Sequence, residues 1–295
     1  HSPEVTHRQE TVTQGETTVK RTITEYKGRR LVAETRESPD AFHRQHAIRT
    51  EEDLEFYCSL PLNTDPDAIG AELEANLPRY RREREEFPEE YGAMMLSLGE
   101  PIQHLQPRCD LQEFAIWSLT HREMISDYLA RVQQQTRQVY RFCLERNMAD
   151  VYFLVGSELA APPMVSRETF RQWIVPFVRE LIEMIHVKRR FAIQHFHGQI
   201  REILPDFLTM APDALHTIEA PPVGNCTFTE AFDAVGDAMT LIGNIQYDEF
   251  RSRTPEQMAD AVRTVLHECE GRRHILSPTA GPFDPDVPDR VIQNY

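Results

Sequence analysis

Two histidines, His195 and His197, stand two residues apart at the end of an apolar run that begins at Phe191 and is followed by Gly198. Side chains of a β-strand alternate between its faces, so both imidazoles would point the same way, about 6.6 Å apart along a strand. Two imidazoles at that separation can share one metal ion. The other interpretation, a hydrogen-bonded pair near a strand end with no ligand, is left open by these two residues alone.

Carboxylates follow two other apolar runs. Glu219 closes the next such run along the chain, and Glu158 comes shortly after an earlier one. If these runs are parallel strands, their carboxyl ends lie on the face of the sheet where α/β proteins place their active sites. The sequence therefore predicts a metal site made by His195, His197 and Glu219. Glu158 is a candidate catalytic residue that donates a proton or orients a substrate, although a salt-bridge role is equally open.

Composition limits the classes of protein to consider. The chain has 295 residues and a formal net charge of -15, which argues against a nucleic-acid surface because such a surface needs a basic stripe. An anionic substrate is not excluded, since arginines can cluster locally. The sequence contains no stretch of 18 uncharged apolar residues, so we expect no transmembrane helix. The five cysteines are scattered and odd in number, which indicates a reduced, cytoplasmic protein.

The first 90 residues differ in pattern from the rest. Between residues 10 and 37, β-branched and polar residues nearly alternate and are punctuated by Gly15 and Gly28, which predicts an antiparallel hairpin or meander. Residues 66–86 form a charged segment that predicts one solvated helix. We expect residues 1–90 to form an N-terminal β-hairpin and helical segment packed on a main part over residues 91–295.

From residue 92 onward, short apolar runs alternate with helical patterns. Such an alternation, with strands too apolar for a one-sided sheet, predicts a parallel sheet covered by helices. A (β/α)8 barrel would need two strands more than the six found, whereas a doubly wound sheet would lack its glycine-rich phosphate fingerprint. The six predicted strands are residues 92–98, 149–155, 191–197, 214–219, 238–243 and 274–277.

Several segments together resemble the uroporphyrinogen decarboxylase superfamily. They are residues 154–156, 164–170, 176–177, 241–245, 254–258 and 275–278, so that the resemblance covers about residues 90–295. The N-terminal hairpin is similar to an insertion found in methyltransferase-like members. The resemblance implies an α/β fold, a (β/α)8 TIM barrel with an N-terminal β-hairpin insertion, and suggests a homodimer.

The superfamily contains two chemistries. Its decarboxylases act without metal or cofactor and hold a porphyrinogen through an arginine-rich N-terminal segment, which is not recognisable here. Its methylcobamide:coenzyme M methyltransferases bind zinc through His-x-Cys, an acidic residue in some members, and a final cysteine. By resemblance, His195 matches the family histidine, His197 replaces the first cysteine, and Glu219 matches the acidic position. Ala280 stands where the last cysteine would be and cannot bind a metal.

A site without thiolates changes the expected chemistry. Two neutral histidines and one carboxylate leave a divalent ion with a formal charge of about +1, whereas one histidine and two thiolates leave about 0. We expect zinc first, although this ligand set also suits iron, cobalt or nickel. The ion would activate a methylated donor or an acceptor thiol.

The resemblance implies a small-molecule methyl donor or acceptor and a corrinoid, free or on a corrinoid protein, as methyl partner. The competing interpretations are a cofactor-free decarboxylase and a noncatalytic barrel that binds a tetrapyrrole. Three further residues are weaker candidates, each interpreted as structural: His121, His216 and Tyr247.

Overall fold

The computed structural model describes residues 1–88, 90 and 92–281. They form two compact units. The first contains residues from 1–92 and 99–148, and the second contains residues 93–98 and those described from 149 onward. The division of the chain at residue 90 into an N-terminal segment and a main part stays a prediction, because compact units need not be separate folding domains.

The first unit begins with an antiparallel sheet. Its four strands follow one another in the order β1-β2-β3-β4, which confirms the predicted hairpin or meander and extends it by one strand. Lys27 and Gly28 connect β2 to β3, both with positive φ (48° and 79°), as a two-residue type I′ turn requires. The strands are β1 (Thr6–Gln14), β2 (Thr17–Tyr26), β3 (Arg29–Ser38) and β4 (Ala41–Gln45).

Five helices complete this unit: α1 (Glu51–Ser59), α2 (Pro66–Glu74), α3 (Leu77–Glu86), α4 (Leu111–Thr120) and α5 (Arg122–Glu145). The prediction of a single helix over residues 66–86 is wrong, because α2 and α3 are separate helices. The reason is Pro78, which has no N–H for the carbonyl of Glu74 and is tolerated only in the first turn of a helix. The long helix α5 buries one face of large side chains, among them Tyr128 and Tyr140.

The second unit is built on a six-stranded sheet in the order β10-β9-β8-β7-β6-β5. The pairs from β6 to β10 are all parallel. All six strands predicted after residue 92 are confirmed, and in the described residues β5 and β10 are the two edges of the sheet. The strands are β5 (Met95–Gly99), β6 (Val151–Val155), β7 (Phe191–His195), β8 (Ala214–His216), β9 (Thr240–Ile245) and β10 (His274–Pro278).

Helices alternate with these strands: α6 (Arg167–Trp173), α7 (Val175–Val187), α8 (Leu204–Met210), α9 (Phe228–Val235), α10 (Tyr247–Ser252) and α11 (Pro255–Glu268). Capping boxes at Thr227 and Thr254 fix where α9 and α11 begin. Phe170, Phe196 and Phe207 pack edge to face beneath the loop after β7, and all three are fully or almost fully buried. Burial of such a ring contributes roughly 1.5–3 kcal/mol, which holds that loop against the helices.

The described helices include none whose length and apolar composition would let it cross a bilayer.

Candidate functional site

A cluster of histidines lies at the carboxyl ends of β7 and β8. The two strands are parallel, and their register places His195 directly opposite His216. Neighbouring strands are about 4.8 Å apart, so side chains that are paired on one face must touch. The imidazoles stack, with ring centroids 4.9 Å apart, and the two Nδ1 atoms are 2.7 Å apart. Phe153 of β6 lies against both rings, at 4.9 Å and 5.7 Å between centroids.

His195 is an imidazole that resists protonation. Burial, helped by the nearby charges of His197 and His216, lowers its pKa to about 3, although the charge of Glu219 acts the other way. The pKa of His216 is also lowered, mainly by burial, although its hydrogen bond to the carbonyl of Pro278 acts the other way. Both rings are therefore neutral near pH 7, which is the form that binds metals or accepts protons.

His197 lies just beyond the end of β7 and meets His195 edge to face, with ring centroids 4.5 Å apart. Its Nδ1 is 3.1 Å from Oε1 of Glu219. The other oxygen of Glu219 accepts a hydrogen bond of 2.6 Å from the amide of Gly198, whose φ of +83° turns that amide toward the carboxylate. The side chain of Glu219 is only 7% exposed, so these two donors are what stabilise its charge.

The carboxylate and the imidazole change each other's pKa values. Burial would raise the pKa of Glu219, but hydrogen bonds from His197 and the Gly198 amide and the charge of His197 outweigh it and lower the pKa. The hydrogen bond to Glu219 raises the pKa of His197 against the effect of burial, and the charge of Glu158 adds to the rise. The hydrogen bond between them therefore favours the charged form of both side chains.

Glu158 belongs to a one-turn 3₁₀ helix, Ser157–Ala160, that follows β6. Its Oε2 accepts a hydrogen bond of 3.0 Å from the amide of Gly156, whose φ of +130° makes the sharp turn there. Glu158 is near enough for its charge to act on His197. The backbone therefore holds the Glu158 carboxylate where its charge acts on His197.

The loop after β8 holds Glu219 in position through its backbone. Gly224 packs so tightly on this loop that an added Cβ would be 2.0 Å from the carbonyl oxygen of Glu219. Asn225 ties this loop to the one after β7, because its Oδ1 accepts a hydrogen bond of 3.1 Å from the amide of Arg201. The two loops that carry His197 and Glu219 are therefore linked to each other.

The structure brings together the three predicted ligands, His195, His197 and Glu219, and places Glu158 near them. Sequence reasoning undervalued His216, which it interpreted as structural although it touches His195. Its signal was its position at the end of a predicted strand next to the one ending in the histidine pair. Phe153, which packs on both rings, had no signal beyond its place in an apolar run.

The remaining candidates lie elsewhere. His121 is in the first unit, where its ring contacts Thr120 and lies 4.0 Å from Glu51. Tyr247 begins α10. Ala280 follows β10 and offers no ligand atom. Within the described part of the chain, no three His, Cys, Asp or Glu side chains are arranged so that they could hold a metal ion. In the cluster itself, both oxygens of Glu219 are engaged by hydrogen bonds instead.

A cavity of about 480 Å³ opens beside the loop after β8. Ala220, the residue after Glu219, lines it together with Asn244 and Gln246 at the carboxyl end of β9 and with Arg253. Cavities that bind small molecules usually measure about 300–1,000 Å³. This cavity is thus large enough for a small substrate and lies next to the segment that carries Glu219.

Comparison with known proteins identifies the family. The family model described as uroporphyrinogen decarboxylase (URO-D) matches residues 105–293, more than half of the chain. The chain belongs to the uroporphyrinogen decarboxylase family. The matched residues include β6 to β10 and every member of the histidine cluster. No curated protein matches the chain significantly.

A solved structure shares the fold of this family member. It is a methyltransferase from Methanosarcina mazei, with a TM-score of 0.59 and 16% sequence identity. The similarity covers 73% of this chain and 60% of the other, so this chain spans less than two thirds of that protein. At this identity the likeness shows a common fold, and with the parallel sheet it indicates a TIM-barrel-like α/β architecture.

Proposed function

We propose that this uroporphyrinogen decarboxylase family protein is a methyltransferase that moves a methyl group between a small methylated donor and a corrinoid or thiol. The observation that carries the proposal is the cluster at the ends of β7 and β8, where His195, His197 and Glu219 meet. The shared fold with a methyltransferase from Methanosarcina mazei supports the reaction class.

Two imidazoles and a carboxylate are donor types that suit a divalent metal ion, with zinc as the first candidate, but in the described structure Glu219 is hydrogen-bonded to His197 and Gly198, so the side chains would have to rearrange to bind it. The low pKa of His195 leaves it neutral, and Glu219 is ionised, as metal ligands must be. The proton that His197 shares with Glu219 would have to leave before both could act as ligands. A metal ion held by His195, His197 and Glu219 would supply Lewis acidity toward a donor oxygen or an acceptor thiol.

The protein's own residues would prepare this reaction. Glu158 is held at the rim of the cluster by the Gly156 amide and is available to donate a proton or orient the substrate. Phe153 packs against the rings of His195 and His216 and would limit the access of water to them. The cavity beside Ala220 would hold the small methylated compound.

The test of the metal site is elemental analysis of the purified protein and of His195→Ala and His197→Ala. We expect close to one zinc or other transition-metal ion per chain in the native protein and loss of it in both variants. His267→Ala is the matched control, because His267 lies on α11 with its side chain 88% exposed. Metal-free native protein with intact activity would overturn the metal site.

The test of methyl transfer is an assay of methyl loss from a panel of methylated compounds in the presence of reduced corrinoid. We expect transfer from at least one donor and its loss in His195→Ala, because this variant lacks a proposed ligand of the metal ion. Release of CO2 from a porphyrinogen without metal, together with no methyl transfer, would identify the protein as a decarboxylase instead.

Other parts of the proposal concern the architecture and the setting. We propose that the six-stranded sheet is part of a closed eight-stranded barrel in which β5 and β10 each gain a further partner. A corrinoid protein as partner, a homodimer and a cytoplasmic location remain predictions from the sequence.

A further inference from the structure

His216 belongs to the histidine cluster, but it has no role in the proposed reaction. It lies opposite His195 in the β7–β8 register, and the two Nδ1 atoms are 2.7 Å apart. Its other nitrogen, Nε2, is 3.4 Å from the carbonyl oxygen of Pro278 in β10. His216 thus connects three strands: its own, that of His195 and that of Pro278.

The hydrogen-bond partners of His216 determine which ring nitrogens carry protons. A carbonyl oxygen only accepts hydrogen bonds, so the Nε2 of His216 must carry the proton that points at Pro278. A neutral imidazole has one N–H, so the Nδ1 of His216 is then an acceptor. The proton between the two rings therefore belongs to Nδ1 of His195, which leaves Nε2 of His195 with a free lone pair.

The surroundings of the two rings favour this neutral arrangement. Phe153 covers both rings with an apolar face, and His197, the neighbouring imidazole, already shares a proton with Glu219. A positive charge on His216 would be partly desolvated where the ring packs on Phe153. The opposite arrangement, with a charged His216 donating to His195, is therefore disfavoured.

We propose that His216 is a positioning residue that holds His195 in the Nδ1–H tautomer, with the unprotonated Nε2 available to a ligand. The carbonyl of Pro278 accepts a hydrogen bond from Nε2 of His216 and so keeps the proton of His216 on that nitrogen. The Nδ1 of His216 then accepts a hydrogen bond from Nδ1 of His195 and keeps the proton of His195 there. Only the identity of the ligand that Nε2 binds rests on the proposed function. The tautomer itself is a property of the metal-free protein, as in metal sites where a partner orients a histidine ligand.

The direct test is NMR of chelator-treated protein that carries ¹⁵N-labelled histidine. Long-range ¹H–¹⁵N correlations distinguish the two neutral tautomers of each ring, and the signals of His195 are assigned by their loss in His195→Gln. We expect the Nδ1–H form for His195 and the Nε2–H form for His216. A predominant Nε2–H form of His195 in the native protein would overturn the proposal without the need of any variant at His216.

Two variants separate positioning from simple packing. His216→Phe keeps an aromatic ring against Phe153 but removes the acceptor, so His195 should move toward the Nε2–H form that free histidine prefers. His216→Asn places a carbonyl oxygen near the position of the lost Nδ1 and should restore the Nδ1–H form. An unchanged tautomer of His195 in folded His216→Phe would contradict the proposed role.

Titration with Co²⁺, followed by its visible absorption, links the tautomer to metal binding. Loss of an orienting partner typically weakens a metal site by about 10–100-fold, so His216→Phe should bind Co²⁺ that much more weakly. His216→Asn should recover most of the affinity. If the native protein binds no Co²⁺, the proposed metal site fails, while the tautomer assignment is decided by the NMR result alone.

Discussion

At the scale of single residues, the cluster shows how partners give identical side chains different charges. The hydrogen bond to Glu219 raises the pKa of His197, whereas burial lowers the pKa values of His195 and His216. The three imidazoles lie within one small volume, and only His197 has a carboxylate partner. The partner of each ring therefore decides which form is favoured, the protonated form for His197 and the neutral form for His195 and His216.

Glu219→Gln tests this charge distribution. The substitution keeps an oxygen that can accept a hydrogen bond but removes the negative charge, so the pKa of His197 should fall from its raised value as burial and its neighbours prevail. In the variant, His197 should therefore lose its proton at a lower pH than in the native protein. NMR titration of the His197 ring measures the change.

A matched control for this substitution is Glu230→Gln. Glu230 also forms an ion pair, with Arg201, but lies at the first turn of α9 and takes no part in the cluster. Its substitution should leave the His197 titration as in the native protein. If Glu219→Gln gave the same His197 titration as Glu230→Gln, the ion pair would not be the source of the raised pKa.

At the scale of elements, the loops after β7 and β8 act as one support for the site. Asn225 of the second loop accepts a hydrogen bond of 3.1 Å from the amide of Arg201, which follows the first loop. Gly224 brings the second loop close to the backbone of Glu219, where no side chain would fit. The position of the Glu219 carboxylate therefore depends on Gly224, which has no side chain of its own.

Gly224→Ala should disturb this support. Its Cβ would lie 2.0 Å from the Glu219 carbonyl oxygen, so the loop must shift, at a cost of about 1–3 kcal/mol in the free energy of unfolding. Urea unfolding measures the loss, and metal affinity should fall with it because Glu219 moves.

The control at this scale is Gly70→Ala in α2, where an added Cβ would meet only Phe142 at the ordinary distance of 3.9 Å. Alanine favours the helix, so Gly70→Ala should raise the free energy of unfolding by about 0.5–1 kcal/mol. Equal effects of the two substitutions would mean that the tight packing at Gly224 does not constrain the loop.

At the scale of the whole molecule, every residue of the cluster belongs to the second unit. The first unit carries a partly buried titratable group of its own, His104. Burial lowers its pKa to about 4, and the charge of Arg108 acts in the same direction. Because the unfolded chain binds this proton near pH 6.5, the folded state is penalised as the pH falls toward 4.

The pH dependence of unfolding tests this effect. The contribution of His104 to stability is complete above pH 6.5 and is lost progressively between pH 6.5 and about 4, by roughly 2–3 kcal/mol. In His104→Gln, which does not titrate, the acid decline in the free energy of unfolding should be smaller by that amount. Denaturant unfolding at pH 7, 5.5 and 4 measures it, and parallel curves for the two proteins would contradict it.

The local parts of the fold could be predicted from the sequence. All six strands of the parallel sheet were found from apolar runs, because strands buried on both faces carry such runs whatever surrounds them. The break between α2 and α3 was missed although Pro78 signals it, because the charge pattern continues through it. The pairing of strands across the sheet depends on packing between distant segments, which no local pattern contains.

The sequence by itself determined that His195 and His197 are close, since two residues at one strand end share a face. It also determined that Glu219 and Glu158 follow strands of the same sheet. Only the tertiary structure decided that His216 stands opposite His195 and that the Gly198 amide and His197 hold Glu219. The physical reason is register, because a shift of one residue between β7 and β8 would turn His216 to the other face of the sheet.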